Sequence, residues 1–245
     1  MNLKSILGIE FIKLRKPANY ILLGLLLLLF VLIAVVGLKM SISVEPPSNE
    51  TTFNQVGSFG LSISKLLVTL FIIINIAGEY TDRSLRKSVI DGQLREDFYK
   101  GKFILLLLVS LFVFVLNVLN LLFESGLSGH LNETFALFTP AFLIDSFLRI
   151  VFAGIWGFFL VFITQSVAIS LVIYFVWGVV ESLLIMIPQL TGSNINLSKY
   201  LPIAGLEHAF AANSVIPVYS LILPMVYIFL MLFGSYFLLI KRDIK

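Results

Sequence analysis

The densest gathering of ionisable side chains in this 245-residue sequence is one run, Gly78 to Lys102, reading GEYTDRSLRKSVIDGQLREDFYKGK. It sets Arg83, Arg86, Lys87, Arg95, Lys100 and Lys102 against Glu79, Asp82, Asp91, Glu96 and Asp97. Glu79–Arg83 and Asp82–Arg86 are acid-before-base pairs at i,i+4, the order that supports a short helix. Thr81 can cap its start, Arg86 and Lys87 fall in its last turns, and Gly92 can close it. Leu85, Val89 and Ile90 supply a small apolar face. A short helix with an apolar ridge and charged flanks fits a groove on a partner protein. The same basic residues would also suit a loop held at anionic lipid headgroups, so both readings stand at this point.

Outside that run, charge is sparse and isolated. Lys65, Asp145, Arg149 and Glu181 lie within or at the ends of apolar segments, where ionisable groups face protein or water and tend to be functional. Asp145 and Arg149 are i,i+4 neighbours, which predicts a local ion pair, with a place in a transport pathway as the alternative. Glu181 can pair with Lys65 across helices. Asn75, Asn117, Asn120 and Gln165 suit interhelical hydrogen bonding more than substrate selection. Glu207 and His208 are adjacent rather than spaced, the other histidine is His130, and there is no HExxH, so no metal site and no catalytic residue is read. Cysteine is absent, which excludes disulfides, thiolate ligands and cysteine nucleophiles. No GxxxxGK[ST] loop is present, so the chain has no phosphate cradle of its own. Asn49, Asn132 and Asn196 each begin an N-x-S/T triplet that chance accounts for.

The elements that position these residues follow from composition. Apolar residues make up 59% of the chain and charged residues 13%, against about 45–50% and 25% in ordinary soluble domains. Several runs exceed the roughly 18 apolar residues that mark a transmembrane helix, and lipid demands that backbone groups pair within the segment. The expectation is an all-α polytopic membrane protein forming one transmembrane domain over residues 1–245. Residues 2–16 place Leu3, Ile6, Leu7, Phe11 and Leu14 on one helical stripe, which reads as an interfacial amphipathic helix ended by Pro17. Glu10 falls inside that stripe, either solvated near the headgroups or paired with a base of the central run. The first apolar run is too long for a signal-peptide core and lacks a cleavage pattern, so no removable leader is expected.

Six spans are predicted: 18–39, 59–77, 103–123, 142–163, 167–187 and 218–240. The nearly continuous apolar stretch 135–187 is too long for one crossing, and the triplet Thr164-Gln165-Ser166 is the natural break. Residues 188–217, with Pro202 and Gly205, read as short interfacial or re-entrant helices on the outer side. The Lys/Arg bias fixes orientation. With both termini inside, the inner face holds Lys4, Lys13, Arg15 and Lys16, the six bases of the central run, and Lys241, Arg242 and Lys245. That is 13 of the 17 basic residues, and the reverse orientation leaves only Lys39, Lys65, Arg149 and Lys199 there. Net charge is only +3, so no nucleic-acid partner is expected.

The run Glu79-Tyr80-Thr81-Asp82-Arg83-Ser84-Leu85-Arg86-Lys87-Ser88-Val89-Ile90-Asp91-Gly92 resembles the signature of type-2 ATP-binding-cassette exporter permeases. In that family an acidic-aromatic pair leaves the second span, followed by a small-residue/hydroxyl pair, Leu-Arg, two aliphatics and a glycine. Arg95, Phe98, Tyr99 and Lys102 fit the later positions that lead into the third span, and Glu10-Phe11-Ile12-Lys13-Leu14-Arg15 is similar to the family's membrane-surface helix. Arg83 departs from a usual glycine and Leu94 from a usual serine. The likeness covers the whole chain in topology and about 35 residues in motif. It implies a coupling helix, with Glu79, Tyr80, Arg83, Ser84, Leu85, Arg86, Lys87, Gly92 and Arg95 facing a separate ATPase subunit and Glu10, Lys13 and Arg15 on the interfacial helix. It also implies two ATPase copies carrying ATP and Mg, a second permease copy, identical or homologous, and a bacterial cytoplasmic membrane. This chain would then be a non-enzymatic transport subunit with no cofactor of its own.

Two other classes compete. A secondary transporter or channel working without an ATPase would show broken, inverted-repeat spans, and no convincing repeat is visible. An intramembrane enzyme, such as a lipid-modifying one, would need acid/base pairs or metal ligands on neighbouring spans, which are scarce. Substrate identity is not written in these residues.

Overall fold

The computed structural model describes residues 49–128, 138–191, 200–202 and 218–241, with isolated positions 8, 24, 31 and 197. The interfacial helix predicted over 2–16, including Glu10, Lys13 and Arg15, and the first span over 18–39 lie outside the described residues, as does most of the outer segment 188–217. Six helices are described: α1 (Asn49–Thr81), α2 (Ser84–Ile90), α3 (Arg95–Ser128), α4 (Pro140–Thr164), α5 (Val167–Thr191) and α6 (Val218–Lys241). No strand occurs among the described residues. All but α2 are long and apolar enough to cross a bilayer, with span windows at Phe59–Thr81, Arg95–Phe123, Phe142–Thr164, Val167–Pro188 and Pro224–Lys241. The chain is a multi-pass helical membrane protein.

Two helices run well beyond the spans predicted for them. α1 has 33 residues and α3 has 34, about 50 Å each at 1.5 Å per residue, against roughly 30 Å of hydrocarbon. α1 begins at Asn49 rather than near Phe59, and α3 at Arg95 rather than Phe103. Hydropathy marks where the lipid-facing surface starts. The backbone ladder continues through Asn49–Ser58 and Arg95–Lys102 because neither stretch contains a proline or a terminating turn. Glu96 and Asp97 sit in the first turn of α3, where carboxylates complement the positive end of the helix dipole.

The predicted break at Thr164-Gln165-Ser166 is present. α4 ends at Thr164 and α5 starts at Val167, and Gln165 takes the left-handed conformation with φ 54°. The Thr164 hydroxyl donates to Leu160 O at 3.0 Å and also pairs with the Ser170 hydroxyl, so the turn satisfies its own polar groups. At the other end of α4, the Thr139 hydroxyl accepts the Phe142 amide at 3.2 Å and Pro140 occupies the first helical position, a combination that starts helices without losing a hydrogen bond.

The chain divides into two compact units, Met1–Phe71 with Gly101–Val151 and Ile72–Lys100 with Phe152–Lys245. In the first, the buried Asn117 side chain on α3 donates to Ser64 Oγ on α1 at 2.8 Å. Gly60 lies beside that amide, and a Cβ there would stand 3.5 Å from Asn117 Oδ1. Phe114 and Phe147 meet edge to face at 5.5 Å. In the second, Phe152, Phe158, Phe162, Ile72, Ile73, Ile76 and Leu85 form the interior. Gly234 of α6 lets Phe159 approach to 3.1 Å of where a Cβ would stand.

Candidate functional site

The segment that joins α1 to α3 is a helix held between two left-handed residues. α1 ends with Asp82 N–H donating to Gly78 O at 2.9 Å and Arg83 N–H to Tyr80 O at 3.2 Å. Arg83 then adopts φ 55° and ψ 16°, a conformation that costs a side-chain-bearing residue roughly 1–2 kcal/mol. α2 follows at once, its first bond running from Lys87 N–H to Arg83 O at 3.1 Å. Its end is a Schellman motif, in which Gln93 N–H reaches Ser88 O at 3.0 Å and Gly92 N–H reaches Val89 O at 3.1 Å. Gly92 has φ 93°, and so glycine closes the helix as the spacing predicts.

Two details differ from the sequence-based expectation. Thr81 does not cap α2: its hydroxyl donates back to Ala77 O at 3.1 Å within α1, the i−4 bond open to a hydroxyl in a last turn, and the capping position belongs to Arg83. The two i,i+4 pairs also do not share one helix. Glu79 belongs to α1, and Asp82 and Arg83 form the turn between α1 and α2.

Burial divides the segment into an anchored side and a displayed side. Leu85 is 1% exposed and Glu79 5%, and Tyr80 meets Phe162 edge-on at 6.3 Å. Ser84 donates to Glu79 O at 3.4 Å and Ser88 to Ser84 O at 3.0 Å, and both side chains are half-buried. On the other side Asp82, Arg83, Arg86, Lys87, Asp91 and Gly92 are exposed, together with two large apolar residues, Ile90 at 75% and Leu94 at 63%. The apolar face expected of Leu85, Val89 and Ile90 is therefore split: Leu85 anchors the helix, Val89 is half-buried and Ile90 is presented outward.

The first turns of α3 fasten this segment to the end of α6. Arg95 Nη1 donates to the carbonyls of Leu239 and Ile240 at 3.2 and 2.8 Å. Tyr99 donates to Leu232 O at 2.8 Å and lies 2.9 Å from Ser235 Oγ. Its ring packs against Phe158, Phe162 and Tyr236 at 5.3, 5.8 and 5.4 Å. Tyr236 reaches Glu96 Oε1 at 3.3 Å, and Glu96 also pairs with Lys100 at 3.7 Å. Residues from α3, α4 and α6 thus converge on Tyr99. Sequence spacing did not single out Tyr99 as a hub; it stood out only as one of the residues that fit the resemblance leading into the third span.

Among the intramembrane charges, Asp145 and Arg149 form the local ion pair that their spacing predicts, 2.7 Å between Oδ1 and Nε, with 17% and 15% of each side chain exposed. Lys65 on α1 adds a second positive charge acting on the same carboxylate. Glu181 is 4% exposed and its Oε1 accepts the Trp177 indole N–H at 2.7 Å. Among the described residues no three histidine, aspartate or glutamate side chains converge as metal ligands do.

What fold and segment define is a class: a multi-pass helical membrane protein that displays a short, rigidly mounted charged helix between two of its spans. No protein-family model matches the sequence, and no curated protein matches it.

Proposed function

We propose that the chain is the membrane-spanning permease subunit of an ATP-driven exporter, coupled through residues 78–102 to a separate ATPase subunit. The observation that carries the reading is α2 itself. It is closed by a glycine Schellman motif, anchored on Leu85, and displays Arg86, Lys87 and Ile90 outward. A connector needed only to reverse the chain would take a few residues. A preformed helix with a protruding apolar side chain ringed by charge has the make-up of a docking element, an apolar anchor with a charged rim. The motif likeness set out above agrees with that use, and the chain itself lacks a nucleotide cradle.

In this reading the loop lies in the bacterial cytoplasm with both termini, six spans cross the cytoplasmic membrane, and two such subunits with two ATPases line one pathway. Glu79, Tyr80, Ser84 and Leu85 hold the helix in place, Arg83, Arg86 and Lys87 meet the ATPase, and Arg95 ties the loop to α6. The interfacial helix that the sequence predicts, with Glu10, Lys13 and Arg15, would complete the inner surface.

The test is co-purification with a cassette ATPase followed by substrate-stimulated ATP hydrolysis in proteoliposomes. Arg86→Glu is expected to abolish stimulation while leaving the subunit folded. A permease that moves substrate with no ATPase bound would favour a secondary transporter and end this proposal.

A further inference from the structure

α6 carries a proline inside it, at Pro224, and that residue is buried. A proline has no N–H to give to the carbonyl four residues earlier, so the backbone ladder is interrupted there, and such interruptions are where helices bend. From Pro224 the helix runs to Ile240 over about 24 Å at 1.5 Å per residue, with no second proline. The other place where it could bend is the pair Gly234-Ser235. There the Ser235 hydroxyl donates to Leu232 O at 2.9 Å and lies 2.9 Å from the Tyr99 hydroxyl, which ties that pair down.

α6 is fastened at both ends of this stretch. Three residues beyond the proline, the Tyr227 hydroxyl donates to Tyr200 O at 2.6 Å, which holds the helix close to the interruption. At the far end Tyr99 takes the Leu232 carbonyl at 2.8 Å, and Arg95 takes those of Leu239 and Ile240 at 3.2 and 2.8 Å. These grips fall on backbone oxygens spread over about 12 Å of α6. They therefore hold the helix axis itself, where a contact between two side chains could slip by a change of rotamer. Arg95 and Tyr99 lie in the first turns of α3, and α3 is bonded directly to the helix before it. Gln93 N–H reaches Ser88 O at 3.0 Å and Phe98 N–H reaches Leu94 O at 3.1 Å. A displacement of α2 is thus delivered through hydrogen bonds to the Lys241 end of α6.

We propose that residues 224–241 of α6 form a lever, hinged at Pro224, whose far end is made to follow α2 by two positioning residues, Arg95 and Tyr99. A change of about 20° at the hinge, the scale of a proline kink, carries Ile240 through roughly 8 Å. The purpose of the lever rests on the exporter reading, in which a partner moves α2, and names α6 as the span that receives that motion. Its mechanics do not require the partner. Neither ATP nor an ATPase enters the measurement below, so the lever can fail with the exporter reading intact, and the reverse.

The chain has no cysteine, so introduced cysteines carry spin labels without background. Ile169→Cys on α5 and Ile240→Cys on α6, both exposed at 53% and 41%, are labelled in the purified chain in lipid nanodiscs, and electron–electron double resonance reads the distance between them. With the grips intact one distance is expected to dominate. Arg95→Gln combined with Tyr99→Phe releases the far end, and a second, displaced distance is expected to gain about tenfold relative to the first, the scale of one lost hydrogen bond to a charged group. Adding Pro224→Ala restores the ladder at the hinge and is expected to remove that second distance. Local fraying of the helix end would not depend on a residue about 24 Å away. No second distance in the released variant, or one that Pro224→Ala leaves undiminished, would each overturn the lever. Should the released variant fail to fold, Tyr99→Phe alone keeps the ring packing and Arg95, and the same two outcomes decide.

Discussion

Arg95 closes the end of a helix 145 residues further along the chain: its Nη1 lies 2.8 Å from the carbonyl oxygen of Ile240. The last carbonyls of a helix have no partner within it, and a cation beside them also meets the negative end of the dipole. The second bond, to Leu239 O at 3.2 Å, makes the guanidinium a two-carbonyl cap. Arg95→Gln is expected to destabilise the protein by about 1–2 kcal/mol, the lower part of the range for hydrogen bonds to charged groups because the Ile240 contact is exposed. Arg95→Lys should recover part of the loss, since it keeps the charge but not the fork. Hydrogen exchange at the amides of residues 236–241 measures this directly, and unchanged protection in Arg95→Gln would show that α6 ends without help from α3.

The two left-handed positions that flank α2 respond differently to substitution. Gly92 has φ 93°, and no atom lies within 4 Å of where its Cβ would be, so alanine there meets backbone strain and no clash. Gly92→Ala is expected to cost about 1 kcal/mol or more. Arg83 already bears that strain at φ 55°. Arg83→Gly relieves it but adds roughly 0.5–1 kcal/mol of chain entropy to lose on folding, so the net change should be near zero or slightly stabilising. Limited proteolysis of the 82–94 segment reads both, with faster cleavage in Gly92→Ala and no acceleration in Arg83→Gly.

The described spans were legible from hydropathy because lipid requires a continuous apolar surface. The break at Thr164-Gln165-Ser166 was legible because three polar residues interrupt one. Gly92 was legible too, as a glycine closing a helix signals its own conformation. Helix ends were not, since a backbone ladder can run on through Arg95-Glu96-Asp97 while the polarity changes. The turn at Arg83 is not written in propensity, an arginine being an ordinary helix residue. The convergence on Tyr99 was invisible for a different reason. Its hydrogen bonds reach α6 more than 130 residues away, and no periodicity reports a partner at that distance.

Asn117 and Ser64 hold α3 to α1 through one buried hydrogen bond of 2.8 Å. Side-chain hydrogen bonds between membrane helices average about 0.6 kcal/mol and reach roughly 1.7, because the alternative partners inside a membrane protein are also polar. A double-mutant cycle of Asn117→Ala and Ser64→Ala should give a coupling energy within that range, read from denaturant unfolding in mixed micelles. Additive single effects would show the bond to be energetically silent. Gly60→Ala is a useful control: its Cβ would make ordinary contact with the Asn117 amide at 3.5 Å, so it should leave the coupling intact.

Leu94 offers the clearest opportunity for stabilisation. Its carbonyl accepts the first bond of α3 from Phe98 N–H at 3.1 Å, which makes it the N-cap residue, yet a leucine side chain offers no acceptor to the amides of the first turn. The side chain is 63% exposed, so little packing is lost on shortening it. Serine at this position can accept from the second or third amide. A good cap in place of an aliphatic is worth about 1 kcal/mol. Leu94→Ser is therefore expected to raise stability by about that amount, with Leu94→Ala as the control that removes the leucine without adding an acceptor. Thermal unfolding of the three proteins in the same detergent decides the matter: a gain in the serine variant alone assigns the effect to capping, and an equal gain in the alanine variant assigns it to the removal of an exposed apolar side chain.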